Sequence, residues 1–259
     1  MSIEAEEVKP YDEKGGKTQQ VSTMFDNIAK YYDFLNHFLS LGIDKSWRKK
    51  SIAALKETAP KKILDVATGT GDLAIEAYKQ LQPVEIIGVD ISEKMLEVGR
   101  AKLAKAELNP YIRLDSGDSE HLPFEDDSFD AVTVAFGVRN FANVEAGLRE
   151  MLRVLRPGGK CVILEFSKPK YFPFKQGYNL YFKYLLPAIG RFTSKDKKAY
   201  SYLYESVQAF PEGETFTQLL HQLGYTQTTC TPLSLGICSI YTGIKSATSP
   251  IPPSETASV

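Results

Sequence analysis

Between Ile63 and Asp72 the chain reads Ile-Leu-Asp-Val-Ala-Thr-Gly-Thr-Gly-Asp, and the next apolar run ends in a further acid, Asp90. An apolar strand, a turn with Gly69 and Gly71, and a following helical pattern at Leu73, Ala77 and Leu81 form a ligand cradle. The glycines admit a ligand close to the backbone, and the helix start offers free N–H groups with a partial positive charge. Two ligand classes fit. Gly69-x-Gly71-x-x-Ala74, with Asp90 about 20 residues further on, satisfies the dinucleotide fingerprint. Asp65-x-x-x-Gly69-x-Gly71 equally satisfies the looser signature of an S-adenosylmethionine site. Asp65 and Asp72 bracket the turn with carboxylates, which suit an ammonium and a sulfonium better than a pyrophosphate. On the loop alone, charge leans toward the cationic ligand.

Further candidates lie where strands should end. Asp65, Asp90, Asp118 and Glu165 all fall at or just past apolar runs, on the side where a nucleoside would lie. Asp90, followed by Ile91, can accept from two ribose hydroxyls, and Asp118-Ser119 can read an adenine amino edge. The fourth run, Ala131 to Phe136, leads into Gly137-Val138-Arg139-Asn140. Arg139 is a donor and a poor base. His37, His121 and His221 form no catalytic constellation, and the cysteines Cys161, Cys230 and Cys238 have no metal spacing. No metal site is expected. Tyr171-x-x-x-Lys175 has the spacing of a dehydrogenase pair, but Pro173 breaks the helix such a pair needs.

The elements that must position these residues follow from periodicity. The chain has 259 residues, 43% hydrophobic and 24% charged, with a net charge of −1, which fits a single soluble domain and gives no global reason to expect nucleic acid. No apolar run reaches membrane-span length, the first 20 residues are too polar for a signal peptide, and a cytoplasmic protein is expected. Residues 1–20 read as a mobile extension and 246–259 as a disordered tail, leaving one domain over 21–245. Phe25, Ile28, Tyr32, Leu35 and Leu39 recur at helical spacing, and residues 21–58 are expected to form a helical lid. Asp44 is its candidate cap for a second helix, with Trp47 as a core anchor. Strands over 85–90, 111–114, 131–136 and 161–166 then alternate with helices, a parallel doubly wound pattern. Residues 167–200 interleave lysines with Tyr and Phe, a cover for an apolar ligand or a surface suited to anionic lipid. Two helices and a hairpin-like pair of strands, 226–231 and 237–244, close the domain.

That terminal pair, and the lack of a dehydrogenase pair, resemble the class I methyltransferase fold: Rossmann-like α/β, a seven-stranded, mostly parallel sheet with an antiparallel last strand and helices on both faces. The match extends further. Met24 to Asp33, Gly42-Ile43-Asp44-Lys45-Ser46-Trp47-Arg48, Leu64 to Asp72, Phe136-Gly137-Val138-Arg139-Asn140, Leu155-Arg156-Pro157-Gly158-Gly159, Leu164-Glu165-Phe166-Ser167 and Tyr200-Ser201-Tyr202-Leu203 resemble the ubiquinone/menaquinone biosynthesis C-methyltransferases. Ala135 departs from the serine of many relatives. The resemblance implies S-adenosylmethionine as cofactor and S-adenosylhomocysteine as product. It implies cofactor contacts at Asp65, Gly69, Thr70, Gly71, Asp90, Ile91, Asp118, Ser119 and Phe136, and a substrate mouth at Tyr32, Arg139 and Asn140. The implied reaction is ring-carbon methylation of a prenylated hydroquinone, demethylmenaquinol before a ubiquinone precursor, at the inner face of a membrane. A sterol-like acceptor or a non-catalytic binding protein of the same fold are the other readings. Intact Gly69, Gly71, Asp90 and Arg139 speak against the latter. Oligomeric state and prenyl length are not legible.

Overall fold

The computed structural model describes residues 3–11, 15–170, 172–180 and 197–247. The elements run α1 (Glu4–Glu7), α2 (Lys17–Leu39), α3 (Ile43–Ala53), β1 (Lys62–Val66), α4 (Asp72–Leu81), β2 (Glu85–Asp90), α5 (Glu93–Lys105), β3 (Ile112–Ser116) and β4 (Phe129–Ala135). A 3-10 turn (Val138–Asn140), α6 (Val144–Val154), β5 (Leu155–Phe166), α7 (Phe174–Leu180), α8 (Lys197–Ala209), α9 (Glu214–Gln222), β6 (Tyr225–Leu233) and β7 (Cys238–Lys245) follow.

The strands form one seven-stranded sheet in the order β3-β2-β1-β4-β5-β7-β6. β1 to β5 pair in parallel, and β7 runs antiparallel to both β5 and β6. The expected Rossmann-like architecture is therefore present, with the antiparallel strand inserted between β5 and β6. Period-two alternation divides the core between two faces. Ile63, Ile86, Ala131 and Val162 face α3, α4 and α5 through Trp47, Ile52, Ala74, Ala77, Leu96 and Leu103. Leu64, Val66, Val132 and Val134 face α6 and α9 through Leu148, Met151, Phe216 and Leu220. Strand order reverses between β1 and β4, which opens a crevice at their carboxyl ends.

Trp47 is a core anchor as expected: it is buried, its Nε1 donates to Ser234 Oγ at 2.8 Å, and its ring meets Phe136 and Phe166. Cys161 and Cys238 are buried strand residues. Three expectations change. Asp44 does not cap α3: Gly42, at φ +76°, opens the helix, and Asp44 lies inside it, buried and ion-paired with Arg48 one turn on. β5 begins at Leu155, because Leu155 pairs with Phe129 ahead of the Pro157-Gly158-Gly159 segment. The expected mobility of residues 1–20 does not hold for the part described. Ala5 is fully buried, Glu6 Oε1 accepts from Val144 N at 2.8 Å at the start of α6, and α2 begins at Lys17. Lys17 Nζ, itself buried, donates to the carbonyls of Ala5 at 2.5 Å and Arg139 at 3.2 Å. Composition missed this because the ammonium's partners come from distant segments. Among the described residues, no helix is long and apolar enough to cross a membrane. Half of the basic, aromatic stretch (Tyr171 and residues 181–196) lies outside the described residues, as does the tail from 248 onward.

Candidate active site

β1 ends at Val66, and the chain turns away from the sheet through left-handed backbone at Ala67, Gly69 and Gly71. Gly69 has φ +56°, and a Cβ there would stand 3.3 Å from Met95 Cε, so both conformation and space favour glycine. Gly71, at φ +77°, opens α4. The loop is anchored from the neighbouring strand: Thr68 N donates to Val89 O at 3.0 Å, and Gly69 N donates to Asp90 Oδ2 at 2.8 Å. Asp90 Oδ1 accepts from Ser92 N at 2.9 Å. Asp90 is only 8% exposed, and burial pushes its carboxyl up to about 6 against the opposing pull of those backbone N–H groups.

One cavity at the carboxyl ends of β1, β2 and β4 gathers eight of the twelve predicted site residues: Tyr32, Gly69, Asp90, Ile91, Asp118, Ser119, Phe136 and Asn140. Thr18, Val21 and Phe25 complete its wall from α2, and Ala135 stands where no hydroxyl is offered. Thr18 lies in the stretch read as mobile, and no local signal marks it. α2 is tied down over this mouth: Ser22 Oγ donates to Ile91 O at 3.1 Å, and Asp26 Oδ1 accepts from Ser92 Oγ at 2.6 Å.

The other four predicted residues do not line the cavity. Asp65 is buried with both oxygens engaged, Oδ2 by Thr68 Oγ1 at 2.6 Å and Oδ1 by Thr133 Oγ1 at 2.8 Å, and burial pushes its carboxyl up to about 6. Thr70 Oγ1 donates to Asp33 Oδ1 at 2.6 Å and accepts from Lys102 Nζ at 3.1 Å. Lys102 also ion-pairs with Asp33 and Asp72, so this cluster binds α2 and α5 to the glycine turn. Gly71 packs against Leu114. The two carboxylates that bracket the turn are thus consumed by partners within the protein, and the charge argument drawn from them does not survive. Asp90 and Asp118 are the predicted site acids that reach the cavity.

Arg139 is likewise turned inward. It is 5% exposed, and its Nη1 donates to Glu165 Oε1 at 2.7 Å and to Phe136 O at 2.5 Å, with the guanidinium 5.4 Å from the centre of the Phe166 ring. Glu165, 0% exposed, is therefore the arginine's counter-ion and not a nucleoside contact. Asn140 lines the cavity one residue further along, with its Nδ2 donating to Phe136 O at 3.2 Å.

Gly137 seats this turn on the glycine loop. A Cβ there would lie 2.6 Å from Ala67 Cβ and 2.9 Å from Val134 Cγ2. Gly137→Ala is expected to destabilise the domain by about 1–3 kcal/mol through overpacking, read as a lowered denaturation midpoint with an unchanged denaturant slope.

The cavity suits a nucleoside. It offers a buried carboxylate for vicinal hydroxyls, open backbone at Gly69, the apolar walls Ile91 and Phe136, and a polar end at Asp118-Ser119. S-adenosylmethionine meets those requirements. Among solved structures, an S-adenosylmethionine-dependent methyltransferase from Thermotoga maritima superposes with a TM-score of 0.61 at 18% identity, covering 86% of this chain and 98% of that one, which establishes the fold. A Bacteroides fragilis protein named demethylmenaquinone methyltransferase is 50% identical over 95% of this chain and 100% of its own length. A Geotalea daltonii protein named ubiquinone/menaquinone biosynthesis C-methyltransferase is 47% identical over 90% of this chain and 98% of its own. The model of the ubiE/COQ5 methyltransferase family matches residues 13–245, and the chain belongs to that S-adenosylmethionine-dependent family.

Proposed function

We propose that this chain methylates a ring carbon of a prenylated hydroquinone, with demethylmenaquinol as acceptor and menaquinol as product. The observation that carries this reading is the end-to-end similarity to the Bacteroides fragilis demethylmenaquinone methyltransferase. The similarity to the Geotalea daltonii protein favours a second acceptor, 2-methoxy-6-polyprenyl-1,4-benzoquinol.

In this reading Asp90 accepts from the ribose hydroxyls, Ile91 and Phe136 hold the adenine, and Asp118 and Ser119 bind its polar edge. Asp65, Thr70 and Gly71 shape and brace the loop. When bound, S-adenosylmethionine supplies an electrophilic methyl group. The residues of the chain do the rest by orientation and electrostatics. Tyr32 and Asn140 flank the acceptor, while Arg139, held by Glu165 immediately behind Asn140, keeps an Nε–H donor for an ionised ring hydroxyl. Val21 and Phe25 keep water from the mouth.

A lipid-borne acceptor calls for peripheral membrane contact from the cytoplasmic side. Leu41 (85% exposed), Phe34 (63%) and Ile43 project from the end of α2 and the start of α3, amid exposed Lys30, Lys45, Lys49 and Lys50, a combination suited to anionic lipid.

The test is methyl transfer from labelled S-adenosylmethionine to reduced demethylmenaquinone and, separately, to the reduced methoxy-polyprenylbenzoquinone, with products identified by mass spectrometry. Product from the naphthoquinol alone is expected. Product from both makes the enzyme bifunctional. Product from neither, with the cofactor still bound, removes the quinol reading and leaves the family and the cofactor.

A further inference from the structure

We infer that Tyr202 completes the acceptor site, its hydroxyl donating a hydrogen bond to the same ring oxygen that meets Arg139 and Asn140. This rests on the reading that the acceptor is a hydroquinol. Among the described residues, five buried side-chain polar atoms have no hydrogen-bond partner, and three of them are Arg139 Nε, Asn140 Oδ1 and Tyr202 Oη. These three belong to two elements that pack together, the 138–140 turn and α8. Tyr202 is 2% exposed and sits with Val21 and Met24 of α2, which shares the wall of the cavity. Burial pushes its phenol up, while the Arg139 guanidinium pulls the other way and the Glu165 carboxylate adds to the rise.

A buried hydroxyl without a partner is costly, and folded proteins seldom leave one so. Phenylalanine would fill the same space without that cost. The three orphans are instead chemically complementary to one group. Arg139 Nε–H and Tyr202 O–H donate, and Asn140 Oδ1 accepts, its orientation set because Nδ2 is committed to Phe136 O. A phenolic hydroxyl has two lone pairs and one hydrogen. It satisfies two donors and one acceptor at once. When the hydroxyl proton passes to a solvent water, the oxygen keeps both donors, so the same pair stabilises the phenolate.

Tyr202→Phe removes only the hydroxyl. We expect kcat/KM for a short-chain reduced demethylmenaquinone to fall roughly 10- to 100-fold, the range for a lost hydrogen bond to a charged group. Affinity for S-adenosylhomocysteine should be unchanged, and the thermal midpoint unchanged or raised, since an unsatisfied group is gone. A general packing role would move all three. Turnover at the wild-type level would overturn the inference and leave an ordered water as the partner. Should the variant fail to fold, hydrogen–deuterium exchange on the unaltered protein decides. Added protection over residues 199–206, when the quinol joins the S-adenosylhomocysteine complex, supports the inference, and none overturns it. Wild-type protein that methylates no quinol would instead sink the proposed function, and this inference with it.

Discussion

Arg139→Ala is expected to lower methyl transfer by on the order of 10²–10³-fold and, at the same time, to destabilise the domain by about 3–5 kcal/mol. The loss of stability comes from one contact. Glu165 is completely buried, and its Oε1 accepts from Arg139 Nη1 at 2.7 Å. Removing the guanidinium leaves a buried carboxylate with its counter-ion gone, which is the costly way to break an internal ion pair. A fall in activity alone would therefore say little. Arg139→Ala combined with Glu165→Gln separates the two effects, because the amide is neutral and tolerates the loss of its partner. Urea unfolding of the double variant should recover most of the stability, while turnover stays low and S-adenosylhomocysteine still binds. Recovery of turnover along with stability would mean that Arg139 serves only to neutralise Glu165.

The second large effect concerns Asp90. Asp90→Asn is expected to weaken S-adenosylhomocysteine binding roughly 30- to 1,000-fold at pH 7.5, since two charge-assisted hydrogen bonds to ribose hydroxyls are lost or weakened. In the wild type the affinity should depend on pH. Burial raises the free carboxyl to about 6, and in the proposed reading the ribose favours the ionised form, so affinity is expected to fall about tenfold between pH 7.5 and pH 5. Stability of the free protein runs the other way. Asp65 and Asp90 both have folded-state values of about 6, above the ordinary carboxylate range, so the folded chain binds more protons than the unfolded one between about 4 and 6. Their contribution is greatest below that window and is lost as pH rises through 6. Calorimetric titrations of wild type and Asp90→Asn from pH 5 to pH 8 check the binding half. A wild-type affinity that is flat over this range, or an unchanged affinity in the variant, would remove Asp90 from the cofactor contacts.

The N-terminal half of the site shows where local reasoning fails. An acid ahead of an amphipathic run resembles a helix cap, yet Asp44 lies within α3, its carboxylate taken by Arg48 and by His37 Nδ1 at 2.7 Å. A polar stretch resembles a tether, yet Lys17 reaches the Arg139 carbonyl, 122 residues away in the chain. Ser92, by contrast, caps α5 by a purely local contact: its Oγ accepts from Met95 N at 3.3 Å, within a single turn of chain.

By itself the sequence determined what depends on neighbours along the chain. The strand–turn–helix alternation, the left-handed glycines at 69 and 71, the Ser92 cap and Asp90 at the end of β2 follow from side-chain periodicity and backbone sterics, and with them the sheet and the place of the cavity. Which way the polar and charged side chains turn was settled only by the packing of distant elements. Asp65 turns to Thr133, Thr70 to Asp33, Asp72 to Lys102 and Arg139 to Glu165, each toward a partner supplied by another element. Burial makes an unpaired charge too costly to leave, so each ionic group goes to the nearest complement that folding brings beside it, and no spacing along the chain encodes that choice.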